Sequence, residues 1–94
     1  MDGMKKKEWF KAISDLGCIV CLNEYGEKSD PDIHHILKSG RKIDDLHTIP
    51  LCPTHHRLGV NNDQAVSRHP WRREFELRYG TEMELLANTK NLIA

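Results

Sequence analysis

Apolar residues recur at helical spacing near both ends of the chain, while the middle breaks into short apolar runs separated by polar turns. From Lys5 to Leu16, Trp9, Phe10, Ile13 and Leu16 fall on one face and Lys5, Lys6, Lys7 and Lys11 on the other, which predicts an amphipathic helix ended by Gly17. The lysines read as a solvated face, with a phosphate-contacting arm as the alternative. Cys18-Ile19-Val20-Cys21 then reads as a tight turn, and the polar run from Leu22 to Asp32 as a loop. Ile33 to Leu37 and His47 to Leu51 predict two short strands, joined through the basic Lys38-Ser39-Gly40-Arg41-Lys42 turn. Pro53 suits a first helical turn, so a short helix is expected over 53–58, ended by Gly59. After a polar loop over 60–67, Pro70 opens a helix from Trp71 to Tyr79 with Trp71, Phe75 and Tyr79 four apart, and Gly80 stops it. Thr81-Glu82-Met83-Glu84 is a capping box that opens a last helix through Met83, Leu85 and Leu86 towards Leu92.

The pattern is thus α+β. The expected organisation is one domain over 1–94: an N-terminal helix (1–17), a knuckle and strand–turn–strand–helix core (18–58), and C-terminal helices (68–94). Ninety-four residues with 38% hydrophobic and 30% charged positions allow only a thin core, and domains of this size usually need a staple. Three cysteines cannot pair off within the chain, and Cys-x-x-Cys spacing favours zinc over disulfides. No apolar run approaches a membrane span, so no membrane partner is expected and a reducing cytoplasm is the expected compartment. Net charge is zero, so a nucleic-acid face has to come from local clustering.

The chemistry-bearing residues crowd into one window. Five of the six histidines lie between His34 and His56, and four of these form two adjacent pairs. Imidazole titrates near neutrality and is the commonest metal ligand. Cys18-x-x-Cys21 is ambiguous by itself, but Cys52-Pro53-Thr54-His55 supplies a second half 31 residues beyond Cys21. Cys18, Cys21, Cys52 and His55 together offer three thiolates and one imidazole to a structural Zn2+. Spacing alone does not separate His55 from His56 as the fourth donor. His34 and His35 are neighbours on a strand and point to opposite faces, so a ligand beside a general base fits them better than two ligands.

His34-His35-Ile36, Gly40-Arg41, His47-Thr48-Ile49-Pro50-Leu51-Cys52-Pro53, His55-His56-Arg57, His69, Phe75-Glu76 and Tyr79-Gly80 resemble the HNH, or ββα-metal, nucleases. Within them the chain is most similar to the phage recombination-enhancement (Ref-like) group, over Cys18 to about Leu86. The resemblance implies a zinc-stapled ββα-metal core with a short β-hairpin, flanked by helices. It implies His35 as general base and His34 and His56 as ligands of a catalytic divalent ion, Mg2+ or Mn2+ (with Zn2+ as a substitute in crystals). His69 would be a third ligand and His55 the zinc ligand. His47 takes the position that is usually Asn, where it would tie the loop between the strands and hold the base. The implied activity is DNA endonuclease cleavage in phage or prophage recombination, on DNA presented by a RecA-type recombinase filament in the bacterial host cytoplasm.

Phosphodiester cleavage needs an activated water, charge stabilisation on the phosphate and help for the leaving oxygen, and a neutral imidazole beside a divalent ion meets these needs. Lys38, Arg41, Lys42, Arg57, Arg68, Arg72 and Arg73 flank the histidines and are candidate phosphate contacts for DNA binding of low sequence specificity. With zero net charge, weak intrinsic DNA affinity is expected. The alternative is a zinc-stapled DNA- or protein-binding module without catalysis, favoured by His47 and the neutral charge. A thiol–disulfide oxidoreductase is opposed by the Cys-x-x-His half and by the lack of a βαβ pattern.

Overall fold

The computed structural model describes residues 4–93; the first three residues of the expected N-terminal helix segment and the last of the C-terminal one lie outside the described residues. Its elements are α1 (Lys6–Leu16), α2 (Ile19–Tyr25), β1 (Asp32–His35), β2 (Leu37–Lys38), β3 (Arg41–Lys42), β4 (Thr48–Leu51), α3 (Pro53–His56), α4 (Arg72–Tyr79) and α5 (Glu82–Ile93). β1 and β4 pair antiparallel, with His34 opposite Ile49 and His35 opposite Thr48. β2 and β3 form a small separate ribbon at the tip. The turn between them, Ser39-Gly40, has positive φ at both residues (53° and 77°), the geometry a two-residue hairpin prefers.

β4 is the centre of the fold. All four of its residues are buried, and it packs against α1, α2, α5 and β1. Around it lie Trp9 and Ile13 from α1, Ile19 and Val20 from α2, Phe75 from α4, and Leu85 and Leu86 from α5. Trp9 Nε1 donates to Thr48 Oγ1 at 2.8 Å, and that hydroxyl donates to the Asp45 carbonyl at 2.9 Å. A buried indole thus pins the loop that precedes β4, and the hydrogen bonds offset the cost of keeping these polar groups inside the core.

The residues after Cys21 do not form a loop at once. They continue α2 to Tyr25, with Gly26 in the left-handed conformation as C-cap (φ 64°, ψ 22°). Ile19, Val20 and Cys21 are its buried face, so the cysteine pair sits on a helix start rather than in a bare turn. Cys18 is the N-cap and its Sγ accepts from the Cys21 N–H. Gly17 has φ +90°, and a Cβ there would lie 2.9 Å from Lys28 Cγ and 3.1 Å from the Ser29 carbonyl oxygen. That close approach lets Cys18 N–H donate to Ser29 O at 3.0 Å and folds the segment after α2 back over the knuckle.

Elsewhere the differences are at element ends. The first strand splits at Ile36, whose N–H donates to the His47 carbonyl at 2.9 Å. α3 is only four residues long, and α4 starts at Arg72 with Trp71 as N-cap. The capping box at Thr81 and Glu84 forms in both directions, at 2.9 and 3.1 Å. On α5, Leu85 and Leu86 are buried whereas Met83 and Leu92 are exposed.

Candidate metal centres and active site

Two clusters of metal-type donors share the short helix α3. The first is Cys18, Cys21, Cys52 and His55, all buried, with one donor atom from each mutually within 4.8 Å. α2 brings the first two, and the turn from β4 into α3 brings the others. Cys21 and Cys52 sulfurs are 3.7 Å apart, and His55 Nδ1 lies 3.7, 3.6 and 3.3 Å from the sulfurs of Cys18, Cys21 and Cys52. A tetrahedral ion about 2.3 Å from sulfur and about 2.0 Å from nitrogen sets its ligand atoms roughly 3.5–3.8 Å apart. The cluster therefore has the dimensions of a zinc site. The hydrogen bond between Cys18 and Cys52, with burial behind it, pushes the Cys18 thiol up, while the same bond, with His55 beside it, pulls Cys52 down to about 3. His55 Nε2 is buried without a hydrogen-bond partner among the described residues, so the ring is held by its sulfur-facing side. The donor set fits a structural metal ion such as zinc.

The second cluster is His34, His56 and His69. Their rings form a near-equilateral triangle, with centroids 5.0, 5.3 and 5.2 Å apart. His34 comes from the inward face of β1 and His56 from the end of α3. His69 is delivered by a backbone device. The carbonyls of His55 and His56 have no partner within so short a helix, and the N–H groups of Arg68 and His69 donate to them, each at 2.9 Å. Ser67 anchors the same segment through Val60 and Thr54. Exposure rises across the triangle, from buried His34 through half-buried His56 to exposed His69. Burial lowers the pKa of His34 against the opposing pull of Glu82, and burial together with the Arg68 charge lowers that of His69. Both rings are thereby favoured in the neutral form a metal ion requires.

Carboxylates surround the histidines, and nothing in their spacing along the chain pointed to them. His56 Nδ1 is 2.9 Å from Asp32 Oδ2, and Arg57 Nε shares that oxygen at 2.9 Å. The hydrogen bond from His56 holds the Asp32 carboxyl below its usual range. His34 Nε2 contacts Glu82 Oε2 in the interior. Burial would raise Glu82, but His34 and Arg68 outweigh it and hold the carboxyl low. His35 lies on the other face of β1, edge-on to Phe10, with its Nε2 3.0 Å from Asp45 Oδ1. His47 Nδ1 is 2.8 Å from Asp44 Oδ1, which also accepts the backbone N–H groups of Leu46 and His47. The loop before β4 is thus tied by Asp44, and the ring beside His35 is that of Phe10, with Asp45 as its hydrogen-bond partner. His47 itself lines a groove of about 380 Å³ with Ile36, Leu37, Lys38, Ile43 and Met83.

The candidate phosphate contacts divide. Lys38, Arg41 and Lys42 are exposed on the β2–β3 ribbon, and Arg73 is exposed on α4. Arg57 pairs with Asp32, and Arg72 with Glu76 and, more distantly, Glu82. Arg68 lies in the interior instead. Its side chain is 10% exposed and its Nε sits 3.3 Å from Glu82 Oε2, so its charge serves a buried pair rather than a phosphate at the surface. Among the described residues no helix is long and apolar enough to cross a membrane.

No curated protein matches the chain. A family model described as "Recombination enhancement, RecA-dependent nuclease" matches residues 3–94, which take in both metal-type clusters. The chain belongs to the recombination-enhancement, RecA-dependent nuclease family.

Proposed function

We propose that the chain is an HNH-type endonuclease that hydrolyses DNA phosphodiester bonds, with His35 as general base and a divalent ion held by His34, His56 and His69. The observation that carries this reading is the pairing of a closed four-donor cluster with an imidazole triangle open on its His69 side. Three neutral ligands with free positions suit catalysis, whereas four buried ligands suit structure. A divalent ion there supplies charge stabilisation at the phosphate and assistance to the leaving 3′ oxygen.

The side chains do the rest. His35 receives a proton from the attacking water at the nitrogen not engaged by Asp45, and Asp45 steadies the imidazolium that results. Asp45 is in turn held by the Trp9–Thr48 relay and by Lys6 Nζ at 3.5 Å. His34 and His35 lie on opposite faces of β1, so the scissile phosphate has to lie across the strand to meet both. His47 keeps the loop between the strands closed through Asp44. Lys38, Arg41, Lys42 and Arg73 are exposed to contact backbone phosphates, with Arg57 and Arg72 at the rim. Neutral net charge supports weak DNA binding by the chain alone, and dependence on a RecA filament offers a way to present the substrate. Phage or prophage recombination in a bacterial cytoplasm is the setting we propose, with Mg2+ or Mn2+ as the catalytic ion.

The test is nicking of supercoiled plasmid and of single- and double-stranded DNA held by a RecA filament, with Mg2+ or Mn2+, comparing the parent with His35→Ala. Metal-dependent nicking by the parent and a loss of about 10²- to 10⁴-fold in the variant is expected. Equal nicking by both removes His35 from the chemistry. No cleavage on any substrate by folded, zinc-loaded protein moves the reading to a DNA- or protein-binding module.

A further inference from the structure

Two of the three histidines of the triangle, His34 and His56, each meet a carboxylate. His34 Nε2 meets Glu82, a residue 4% exposed at the first turn of α5, and His56 Nδ1 meets Asp32 at the start of β1. Neither carboxylate belongs to the set of mutually close donor atoms, which comprises the three imidazoles alone. Each imidazole has two ring nitrogens. With one occupied by a carboxylate, the other is left with its lone pair for an ion. Arg68, itself buried, shares the Glu82 Oε2 that meets His34, and Arg57 shares the Asp32 Oδ2 that meets His56. A buried carboxylate is heavily penalised unless it is paired, so Glu82 is a residue the fold retains at a cost that only its partners offset.

We infer that Glu82 and Asp32 are positioning residues of the triad: each accepts a hydrogen bond from one histidine and so fixes that ring's tautomer and aim. The inference rests on the reading of the triad as a cation site. It assigns His34 to bind through Nδ1 and His56 through Nε2. It also makes the last helix part of the site, since α5 carries Glu82 to a strand 48 residues earlier in the chain. Carboxylates in this role typically change metal affinity by about 10- to 100-fold.

The test has to separate orientation from mere packing. Removing Glu82 alone strands the Arg68 guanidinium, so two double variants are compared: Glu82→Gln with Arg68→Met, and Glu82→Leu with Arg68→Met. Both remove the buried ion pair, and they differ in whether an oxygen remains to accept from His34. Asp32→Asn and Asp32→Leu make the same comparison at a more exposed position. The readout is Co2+ affinity of zinc-loaded protein, followed by visible absorption, with zinc content and melting temperature measured alongside. Each leucine variant is expected to bind Co2+ at least about 10-fold more weakly than its amide partner, at similar melting temperature and with one zinc retained. Equal Co2+ affinity within both pairs, in a parent that does bind a second ion, overturns the positioning role and leaves the cation site standing. A parent that binds no second ion overturns the cation site, and the positioning role with it.

Discussion

His55 and His56 are adjacent on one four-residue helix and serve opposite ends. His55 is 2% exposed, and its ring is walled in by three sulfurs. His56 is half-buried, shares its site with two other imidazoles, and is backed by a carboxylate. The two clusters differ in donor softness, in closure and in what stands behind each ligand. Three thiolates and one imidazole that together fill all four positions leave no room for substrate, and metal binding at such a site becomes folding free energy. Imidazoles with an open side and hydrogen-bonded rear nitrogens would leave an ion free positions for water and phosphate. Because α3 carries donors of both clusters, disturbing the closed one should also disturb the open one. The reverse should not hold.

That asymmetry can be broken at its strong end. Cys18→Ser or Cys52→Ser is expected to remove most of the apparent ~10–16 kcal/mol that a structural zinc contributes, which is on the scale of the whole stability of a domain this size. Circular dichroism should then show no cooperative melt, and a Cys18→Ser protein that melts like the parent contradicts a structural role. At the other end of α3, His56→Ala should keep a melting temperature close to the parent's while nicking and second-ion binding both fall by at least about 10-fold. Loss of the fold in that variant would erase the distinction between the sites. Trp9→Phe sharpens the comparison from the core side. It removes the indole donor to Thr48 and should cost about 1–3 kcal/mol by chemical denaturation with the zinc content unchanged. The smallest effect is expected on the ribbon. Lys38→Ala with Arg41→Ala should leave stability unchanged, weaken DNA binding across sequences and lower the salt slope by about 1 for each phosphate no longer neutralised.

What is legible in the sequence follows from range. Cys18 with Cys21, and Cys52 with the His55-His56 pair, are spaced by a helix start, so the donor pattern can be read directly, although spacing does not tell which of the two histidines faces the sulfurs. The two amphipathic end helices and the capping box at Thr81 are legible for the same reason. α2 is hidden because Asn23 and Glu24 make the segment look like a loop, although Ile19, Val20 and Leu22 followed by Gly26 carry a helix signal. The carboxylates are not legible. Asp32, Asp44, Asp45 and Glu82 are four of 14 acidic residues, and only the fold tells which of them meets a histidine. Glu82 is the sharpest case, since its place inside a capping box suggests an exposed first turn, whereas the helix docks with that side inward. Arg68 misleads in the same way: a basic residue between polar neighbours looks free, and it is buried against Glu82.

The division of labour between the clusters is tested most directly by chelation. Zinc-loaded protein is treated with EDTA under conditions that strip weakly held ions, and zinc content, far-ultraviolet circular dichroism and nicking of filament-bound DNA are measured on one sample. One zinc per chain and an unchanged spectrum are expected to remain while nicking disappears and returns on adding Mg2+ or Mn2+. Nicking that persists in EDTA with the fold intact, or nicking and fold that vanish together and in proportion, would contradict it.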